Sequence, residues 1–127
     1  MRGIRGATQI QENTVQAMEE AVAEMCHALC ERNQIRPEDI GWAIFTVTRD
    51  LDADFPARAA RVRNGWHQVP MICSQEIPVP GSLPRIIRVL LHVETLDRPV
   101  RHVYLRGARA LRPDLADPEG SPLPGGR

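Results

Sequence analysis

The side chain that most strongly suggests chemistry is Arg88, which stands in an apolar, β-prone run at residues 86–93. An arginine in an apolar setting needs an anionic partner, because an unpaired charge away from water is costly. Two partners remain open at this level. One is the carboxylate of Glu76, which stands three residues after the thiol of Cys73; the other is an anionic ligand. The stretch 73–93 is therefore the first candidate for a functional site.

Other groups in the chain also suit anion binding. All 16 basic residues are arginine, a bias that genome base composition can explain, yet each guanidinium is a planar fork suited to carboxylates or phosphates. No nucleophile stands beside a base, and the histidines at 67, 92 and 102 lack a local partner, which favours structural roles for them. Such a set suits a dianionic substrate whose reaction needs only positioning and charge stabilisation. The candidate residues are Arg5, Arg58, Arg61, Arg88 and Arg112, with Glu76, Cys73 and Tyr104.

Composition argues against several other classes of protein. The net charge is zero, aromatic residues make up 4% of the chain and no nucleic-acid-binding motif is present, so we predict no nucleic-acid partner. No apolar run approaches the roughly 20 residues of a membrane span, so no membrane association is predicted. Three cysteines, with no apolar signal region behind the first residues, predict a protein of the reducing cytoplasm.

Two segments superficially resemble metal sites. Cys26 and Cys30 stand one helical turn apart, but no second ligand pair with matching spacing follows, so we interpret them as small core residues. The acidic loop 49–55 lacks the glycine and the distal glutamate of a calcium loop. We predict neither a metal site nor a cofactor.

The pattern of apolar residues predicts strands and helices in alternation. A strand at 2–8 places Arg5 between the small residues Gly3 and Ala7 on one face. Asn13 or Thr14 begins a long helix that runs to about Arg32. Further elements are predicted as a one-turn connector at 36–39, a central strand at 41–48, a short helix from Pro56 to Asn64 closed by Gly65, and strands at 71–73, 86–93 and 100–108.

Two of these elements have clear core faces. The long helix carries an apolar stripe, and strand 86–93 carries a wholly apolar face on the side opposite Arg88. The stripe is Val15, Met18, Val22, Met25 and Leu29, and the strand face is Ile87, Val89, Leu91 and Val93. Together the elements predict an α+β fold: a mixed β-sheet with one long and one or two short helices. One helix covers one sheet face, so a homo-oligomer that covers the other face is expected.

Length and composition predict one domain, residues 1–115. The remaining segment, 116–127, is rich in proline, glycine and acidic residues, and we expect it to be a mobile tail.

Six segments together carry a family resemblance that spans residues 1–115 in order. They are 2–8 (RGIRGAT), 54–57 (DFPA), 69–76 with its Val-Pro, cysteine and Gln-Glu, 87–89 (IRV), 101–106 (RHVYLR) and 111–115 (LRPDL). In combination they resemble the trimeric α/β class of chorismate mutase, not the all-helical class. The turn before Arg101 is shorter than in that family. The resemblance implies a pseudo-α/β-barrel homotrimer, with active sites between subunits, that converts chorismate to prephenate for phenylalanine and tyrosine synthesis.

The resemblance also implies a role for each candidate. Arg5, Arg88 and Tyr104 would contact the substrate carboxylates and ether oxygen, and Glu76 and Cys73 would lie near the ring hydroxyl. The neighbouring subunit would contribute a wall made of Phe55, Ala57, Arg58 and Arg61, and a C-terminal segment with Leu111 and Arg112 would close over the site. We include Met71 and Ile72 among the substrate-binding candidates. A non-catalytic trimeric sensor of small carboxylates is the alternative function.

Overall fold

The computed structural model describes residues 1–115, so the predicted mobile tail at 116–127 lies outside the described residues. The chain forms five strands, two α-helices and two short 3-10 helices. In order these are β1 (Arg2–Gln9), α1 (Val15–Asn33), a 3-10 helix (Pro37–Asp39), β2 (Ile40–Val47), α2 (Pro56–Asn64), β3 (Met71–Gln75), β4 (Ile86–Val93), β5 (Val103–Tyr104) and a second 3-10 helix (Arg106–Ala110). The predicted α+β class, with one long and one short α-helix, is confirmed.

The ends of the helices follow from their capping residues. Thr14 begins α1, because its side-chain oxygen accepts a hydrogen bond from the N–H of Ala17 at 3.1 Å. Pro56 begins α2, and Gly65 ends it in the left-handed conformation, with φ of 75°. Within the predicted stripe of α1 the four later residues are buried, but Val15 is exposed. The prediction for Val15, the first residue of α1, is wrong, because its side chain is 47% exposed.

The five strands form one mixed sheet in the order β3-β2-β4-β1-β5. β4 is the middle strand and pairs antiparallel with both β1 and β2, whereas β3 and β5 pair in parallel at the two edges. β2 lies inside the sheet, as its apolar character predicted. The sheet therefore carries its longest strands at the centre, where backbone pairing holds side chains from β1, β2 and β4 in fixed positions.

The two faces of the sheet differ in what covers them. The face that includes Ile4, Val89 and Leu91 is buried under α1, and a Cβ added at Gly6 would lie 3.0 Å from Leu29 of that helix. Alternate residues point to the opposite face. We call this second face the open face; no α-helix of the described chain packs on it, and Leu90 and Trp42 are exposed there.

The predicted strand at 100–108 is wrong in length. Only Val103 and Tyr104 pair with β1, and the N–H of Leu105 donates to the carbonyl of Ala7 at 2.9 Å as the last ladder contact. Arg106 then adopts a left-handed conformation with φ of 54°, which turns the chain into the 3-10 helix. Arg106 accordingly contacts Glu24 of α1 at 3.0 Å and does not continue the strand predicted for it.

Within residues 1–115, neither helix combines the length and the apolar character that crossing a bilayer requires.

Candidate active site

The open face gathers three of the predicted catalytic side chains. Opposite residues of an antiparallel pair share a face, and the register pairs Arg5 with Leu90 and Ala7 with Arg88. Tyr104 stands beside Ala7 in the parallel pair and therefore belongs to the same face. These side chains border a cavity of about 280 Å³. Its lining consists of Arg5, Gly6, Ala7, Ile44, Thr46, Arg88, Val89, Leu90 and Tyr104.

Arg88 contacts an internal carboxylate. Its Nε lies 2.7 Å from Oε2 of Glu76, and the same oxygen accepts a hydrogen bond from the hydroxyl of Thr46 at 2.5 Å. Glu76 is fixed at the end of β3, where its N–H donates to the carbonyl of Val47 at 2.8 Å. The ion pair uses only one edge of the guanidinium. Within residues 1–115 the terminal nitrogens of Arg88 make no hydrogen bond, and its side chain is 43% exposed.

Arg5 presents a second cation to the same cavity. It is exposed, and its guanidinium forms no ion pair within the described part of the chain. Its backbone N–H donates to Nδ1 of His102 at 3.0 Å. Burial, followed by the charges of Arg5 and Arg112, lowers the pKa of His102 from the usual 6.5. The sequence favours a structural role for His102, although its spacing of two residues from Tyr104 places both on one side of a strand.

The C-terminal segment of the described chain lies at the rim. Leu111 packs against the apolar cluster that includes Ala7 and Tyr104, and Tyr104 is only 3% exposed. Arg112 forms a bidentate pair with Asp114, with N···O distances of 3.1 and 2.9 Å. This pairing lowers the pKa of Asp114 below its usual value. Arg112 is therefore close enough to influence His102 but does not line the cavity in this arrangement.

The residues of β3 divide between the two faces. Ile72 pairs with Ile44 and is 62% exposed on the open face, whereas Cys73 pairs with Phe45, whose side chain is in the core. The thiol of Cys73 therefore points to the opposite side of the strand from Ile72. Met71 shares the side of Cys73 and packs against the core. The arrangement does not bring the Cys73 thiol together with Glu76.

The backbone of Cys73 has a different orientation from its thiol. The carbonyl of Pro70 accepts from Ala43, and the N–H of Glu76 donates to Val47. Even-numbered residues of β3 therefore pair with β2, and the backbone groups of odd-numbered residues point to the other side of the strand. Since β3 is an edge strand, the N–H and C=O of Cys73 lie on its free edge.

The predicted substrate wall on α2 is separate from the cavity. The helix packs against α1, and none of the four wall residues borders the cavity. Phe55 is 72% exposed and Arg61 is exposed, but Ala57 is 6% exposed and belongs to the core. Arg58 contacts Asp54 at 2.7 Å and Glu19 at 2.8 Å. One chain alone thus contains two separate sets of the predicted site residues.

The open face also carries an apolar surface beside the cavity. Trp42 stacks on His92 with ring centroids 5.4 Å apart and planes 9° from parallel. Trp42, Ile72 and Leu90 are all exposed, and the concave part near Trp42 and Ile72 has a volume of about 410 Å³. Exposed aromatic and aliphatic side chains in one contiguous area are typical of an interface between proteins.

The thiols of α1 are placed in the core, as their sequence context predicted. Cys26 is fully buried, and burial raises its pKa well above the usual value. Burial also raises the pKa of Cys30 to about 11, although a contact with Trp66 acts in the opposite direction. Both thiols are therefore protonated near neutral pH and are poor metal ligands or nucleophiles.

Comparison with known proteins gives a consistent assignment. The family model for chorismate mutase type I matches residues 1–115. The chain is 50% identical over 118 residues to chorismate mutase AroH of Thermus thermophilus, covering 91% of this chain and 96% of that protein. It is 41% identical over 119 residues to chorismate mutase AroH of Bacillus subtilis strain 168, covering 91% and 93%.

A solved structure agrees with these relatives. A chorismate mutase from Clostridium thermocellum superposes with a TM-score of 0.83 at 43% sequence identity, and the match covers 87% of this chain and 99% of the other. The chain therefore belongs to the chorismate mutase type I family, as its sequence segments predicted.

Proposed function

We propose that this protein, an isomerase of the chorismate mutase family, converts chorismate to prephenate in the open-face cavity, with Arg88 as the central catalytic residue. The observation that carries the proposal is the cavity itself, which combines an oriented Arg88 with a second cation, Arg5, and a buried phenol, Tyr104. A unimolecular rearrangement of a dianion requires cations and shape, and it requires no nucleophile.

The proposed role of Arg88 is electrostatic. In the concerted rearrangement a C–O bond breaks ahead of C–C bond formation, so negative charge grows on the ether oxygen. Glu76 holds one edge of the Arg88 guanidinium at 2.7 Å and leaves its terminal nitrogens for that oxygen. A preorganised charge of this kind stabilises the transition state more than the ground state.

Arg5 and Tyr104 are proposed to hold the substrate in its compact, reactive conformation. Chorismate is a flexible dianion. Holding its carboxylates in place uses binding energy to reduce the entropic part of the activation barrier. Arg5 fits this role because its guanidinium is exposed and forms no ion pair among residues 1–115. Tyr104 fits it because it borders the cavity and is held in the apolar cluster against which Leu111 packs.

We assign recognition of the ring hydroxyl to Glu76 and to the backbone of Cys73. The second oxygen of Glu76 is not used by Thr46, so the carboxylate can accept from a hydroxyl while it orients Arg88. For Cys73, the exposed strand edge offers an N–H and a C=O, whereas its thiol points to the other side of β3. The proposal thus keeps both residues but changes the group through which Cys73 acts.

We propose that the site is completed by a neighbouring subunit of a pseudo-α/β-barrel homotrimer. The exposed apolar surface around Trp42 and Ile72 supports burial of the open face between subunits. Phe55 and Arg61 have exposed side chains, so they are the wall residues that we assign to the neighbour's cavity. For Arg58 we propose a mainly structural role, because its guanidinium contacts two carboxylates of its own chain, those of Asp54 and Glu19.

Three smaller assignments accompany the proposal. We assign Arg112, at the rim of the cavity, to the carboxylate on the side chain of the substrate. To bind it, Arg112 would release Asp114. The catalytic domain is assigned to residues 1–115, the range that the family model matches. The three free cysteines suit a reducing cytoplasm, where the chorismate that feeds aromatic amino acid synthesis is made.

One experiment tests the proposal. Purified protein is mixed with chorismate, loss of substrate is followed by absorbance, and prephenate is identified by its acid conversion to phenylpyruvate. Turnover by the wild type together with its loss in Arg5→Ala and Arg88→Lys supports the site. Saturable chorismate binding without turnover would instead support the carboxylate sensor, and wild-type rates in both variants would place the reaction elsewhere in the protein.

A further inference from the structure

We propose that His102 is a positioning residue of this enzyme: its unprotonated Nδ1 fixes the backbone of Arg5 and thereby aims the Arg5 guanidinium at the substrate carboxylate. The inference rests on the proposed role of Arg5. It adds a residue that does not touch the substrate and a proton-dependent step in substrate binding.

The contact replaces a missing bond of the sheet. β5 pairs with β1 only at Gly6 and Ala7, and the carbonyl of Ala7 accepts from Leu105 on this edge. Alternate residues point to the same edge, so the N–H of Arg5 faces the β5 side beyond the end of the ladder. There the imidazole Nδ1 of His102 accepts its hydrogen bond at 3.0 Å. The imidazole of His102 thus accepts the hydrogen bond that a backbone carbonyl accepts elsewhere in the sheet.

The position of His102 is itself fixed by a buried residue. Asn33, at the end of α1, is fully buried, and its side-chain oxygen accepts from the N–H of Arg101 at 2.8 Å. Its side-chain nitrogen donates to the carbonyls of Arg101 and Leu29, each at 2.9 Å. The residue before His102 is therefore held to the helix through both of its backbone groups. The backbone that leads into His102 is thus held against the end of α1.

The hydrogen bond works only with a neutral imidazole. A proton on Nδ1 would set one N–H against the N–H of Arg5 and would add a cation beside Arg5 and Arg112. Burial first, and then these two arginines, lowers the pKa of His102 from 6.5. Asp114, which pairs with Arg112 at 2.9 Å, partly offsets the second charge. Protonation of His102 in acid therefore breaks the contact that positions Arg5.

Two variants of His102 separate the effect of its hydrogen-bond acceptor from the effect of its side-chain volume. His102→Asn places an amide oxygen where Nδ1 lies and cannot titrate, whereas His102→Leu has the same branch point and no acceptor. For His102→Leu we expect KM for chorismate to rise roughly three- to tenfold, the range expected for one lost hydrogen bond, with a smaller change in kcat. His102→Asn should retain the wild-type KM at pH 7.5. The exposed His67→Asn serves as the control and should leave both constants unchanged.

The pH profile gives the second readout. In the wild type, kcat/KM should fall on the acid side with an apparent pKa below 6.5, because this ratio reports the free enzyme. His102→Asn should lack that acid limb. In the wild type, ¹⁵N NMR of the labelled imidazole should show an unprotonated Nδ1 at pH 7.5, and the Arg5 amide resonance should shift as His102 titrates.

The outcomes distinguish this inference from the proposed function. If Arg5→Ala loses activity while His102→Leu has the wild-type KM, the positioning role is wrong and the site assignment remains. An acid limb that persists in His102→Asn, or a protonated Nδ1 at pH 7.5, also overturns it, even if the leucine variant does not fold. If Arg5→Ala keeps the wild-type KM, the site assignment itself fails, and the role of His102 fails with it.

Discussion

Arg88 lies against Glu76, with 2.7 Å between Nε and Oε2, and Thr46 donates its hydroxyl to the same carboxylate oxygen. The three residues come from β4, the end of β3 and β2, so three neighbouring strands converge on one guanidinium. This pairing answers the question that Arg88 raised in the sequence: the internal partner is present and occupies one edge, which leaves the other edge for a ligand.

Replacing Arg88 should separate folding from catalysis. Arg88→Lys retains a positive charge but loses the planar fork that contacts Glu76 and the ligand at once. We expect a folded protein of wild-type size whose kcat falls by at least about 10²–10³, the effect of losing one oxyanion donor. Steady-state kinetics with circular dichroism tests this. Arg36→Lys, in the connector after α1, is the matched control and should have wild-type kcat; near-wild-type kcat in Arg88→Lys would refute the electrostatic role.

Loss of the Glu76 carboxylate should reduce activity more than loss of the Thr46 hydroxyl that donates to it. Glu76→Gln removes the charge opposite Arg88, and we expect kcat/KM to fall roughly tenfold to a hundredfold, as for loss of a hydrogen bond to a charged group. Thr46→Val keeps the side-chain shape, so its effect should stay below about tenfold. Equal losses in both variants would mean that the contribution of Glu76 is not its charge.

Cys73 should act without its sulfur. The register directs the thiol to the core-side face of β3 and the backbone groups to the free edge. Cys73→Ala should therefore retain kcat/KM within about threefold of the wild type, since the loss of a small exposed side chain is nearly neutral. Chorismate turnover at several substrate concentrations measures this. A drop of about a hundredfold would show that the thiol reaches the substrate.

Two arginines on α2 should have different roles although they share a helix face. Arg58→Ala removes the partner of Glu19 and Asp54 and should lower Tm with little change in kcat. Arg61→Ala should leave Tm unchanged and raise KM, because its proposed ligand is in the neighbouring subunit's cavity. Calorimetry and kinetics on the two variants test the division, and an exchange of the two outcomes would contradict it.

The stability difference caused by Arg58 should depend on pH in a defined direction. Arg58, and secondarily Arg63, lowers the pKa of Glu19 below 4.5. A carboxylate with a lowered folded-state pKa stabilises the protein above its unfolded-state pKa, and this stabilisation is lost as the pH falls through the folded-state pKa. The Tm difference between wild type and Arg58→Ala should thus be full near neutral pH and should shrink below pH 4.5. A constant difference would assign the effect of Arg58 to packing alone.

A charge on the open face should dissociate the oligomer. Ile72 is 62% exposed within one chain and belongs to the surface that we assign to a subunit contact. Ile72→Glu should therefore give monomers and little activity, measured by light scattering and kinetics on the same sample. Val15→Glu is the control, because Val15 is also exposed and an acidic residue at a helix N-terminus is favourable. A trimeric Ile72→Glu, or a monomeric wild type, would be incompatible with the proposed assembly.

Local sequence rules predicted correctly the elements that have a clear apolar pattern or characteristic residues at their ends. Pro56 and Gly65 bound α2 as expected, and the alternation in 86–93 gave both β4 and its core face. The same rules overextended the last strand. Alternation in 100–108 continues through Arg106, but Arg106 adopts a left-handed conformation and turns the chain away from β1 after the contact of Leu105 with Ala7.

The site was predictable in its residue types but not in its contacts. An arginine among apolar neighbours drew attention to Arg88, yet the choice of Glu76 as partner depends on the register of β2, β3 and β4. The orientation of Cys73 depends on the same register. The sequence favoured a structural role for His102 because its partner is a backbone N–H that is 97 residues away in the chain, and no side-chain pattern encodes such a contact.

The ladder between β1 and β4 runs without a break from Arg2 and Val93 to Gln9 and Ile86. The positions of Arg5 and Arg88 relative to each other are set by that ladder. Deleting or inserting a single residue in either strand would turn its arginine into the face beneath α1. Descendants of this gene can therefore exchange many side chains along these strands, but the number of residues in them is constrained, and changes of length should accumulate in the connecting loops.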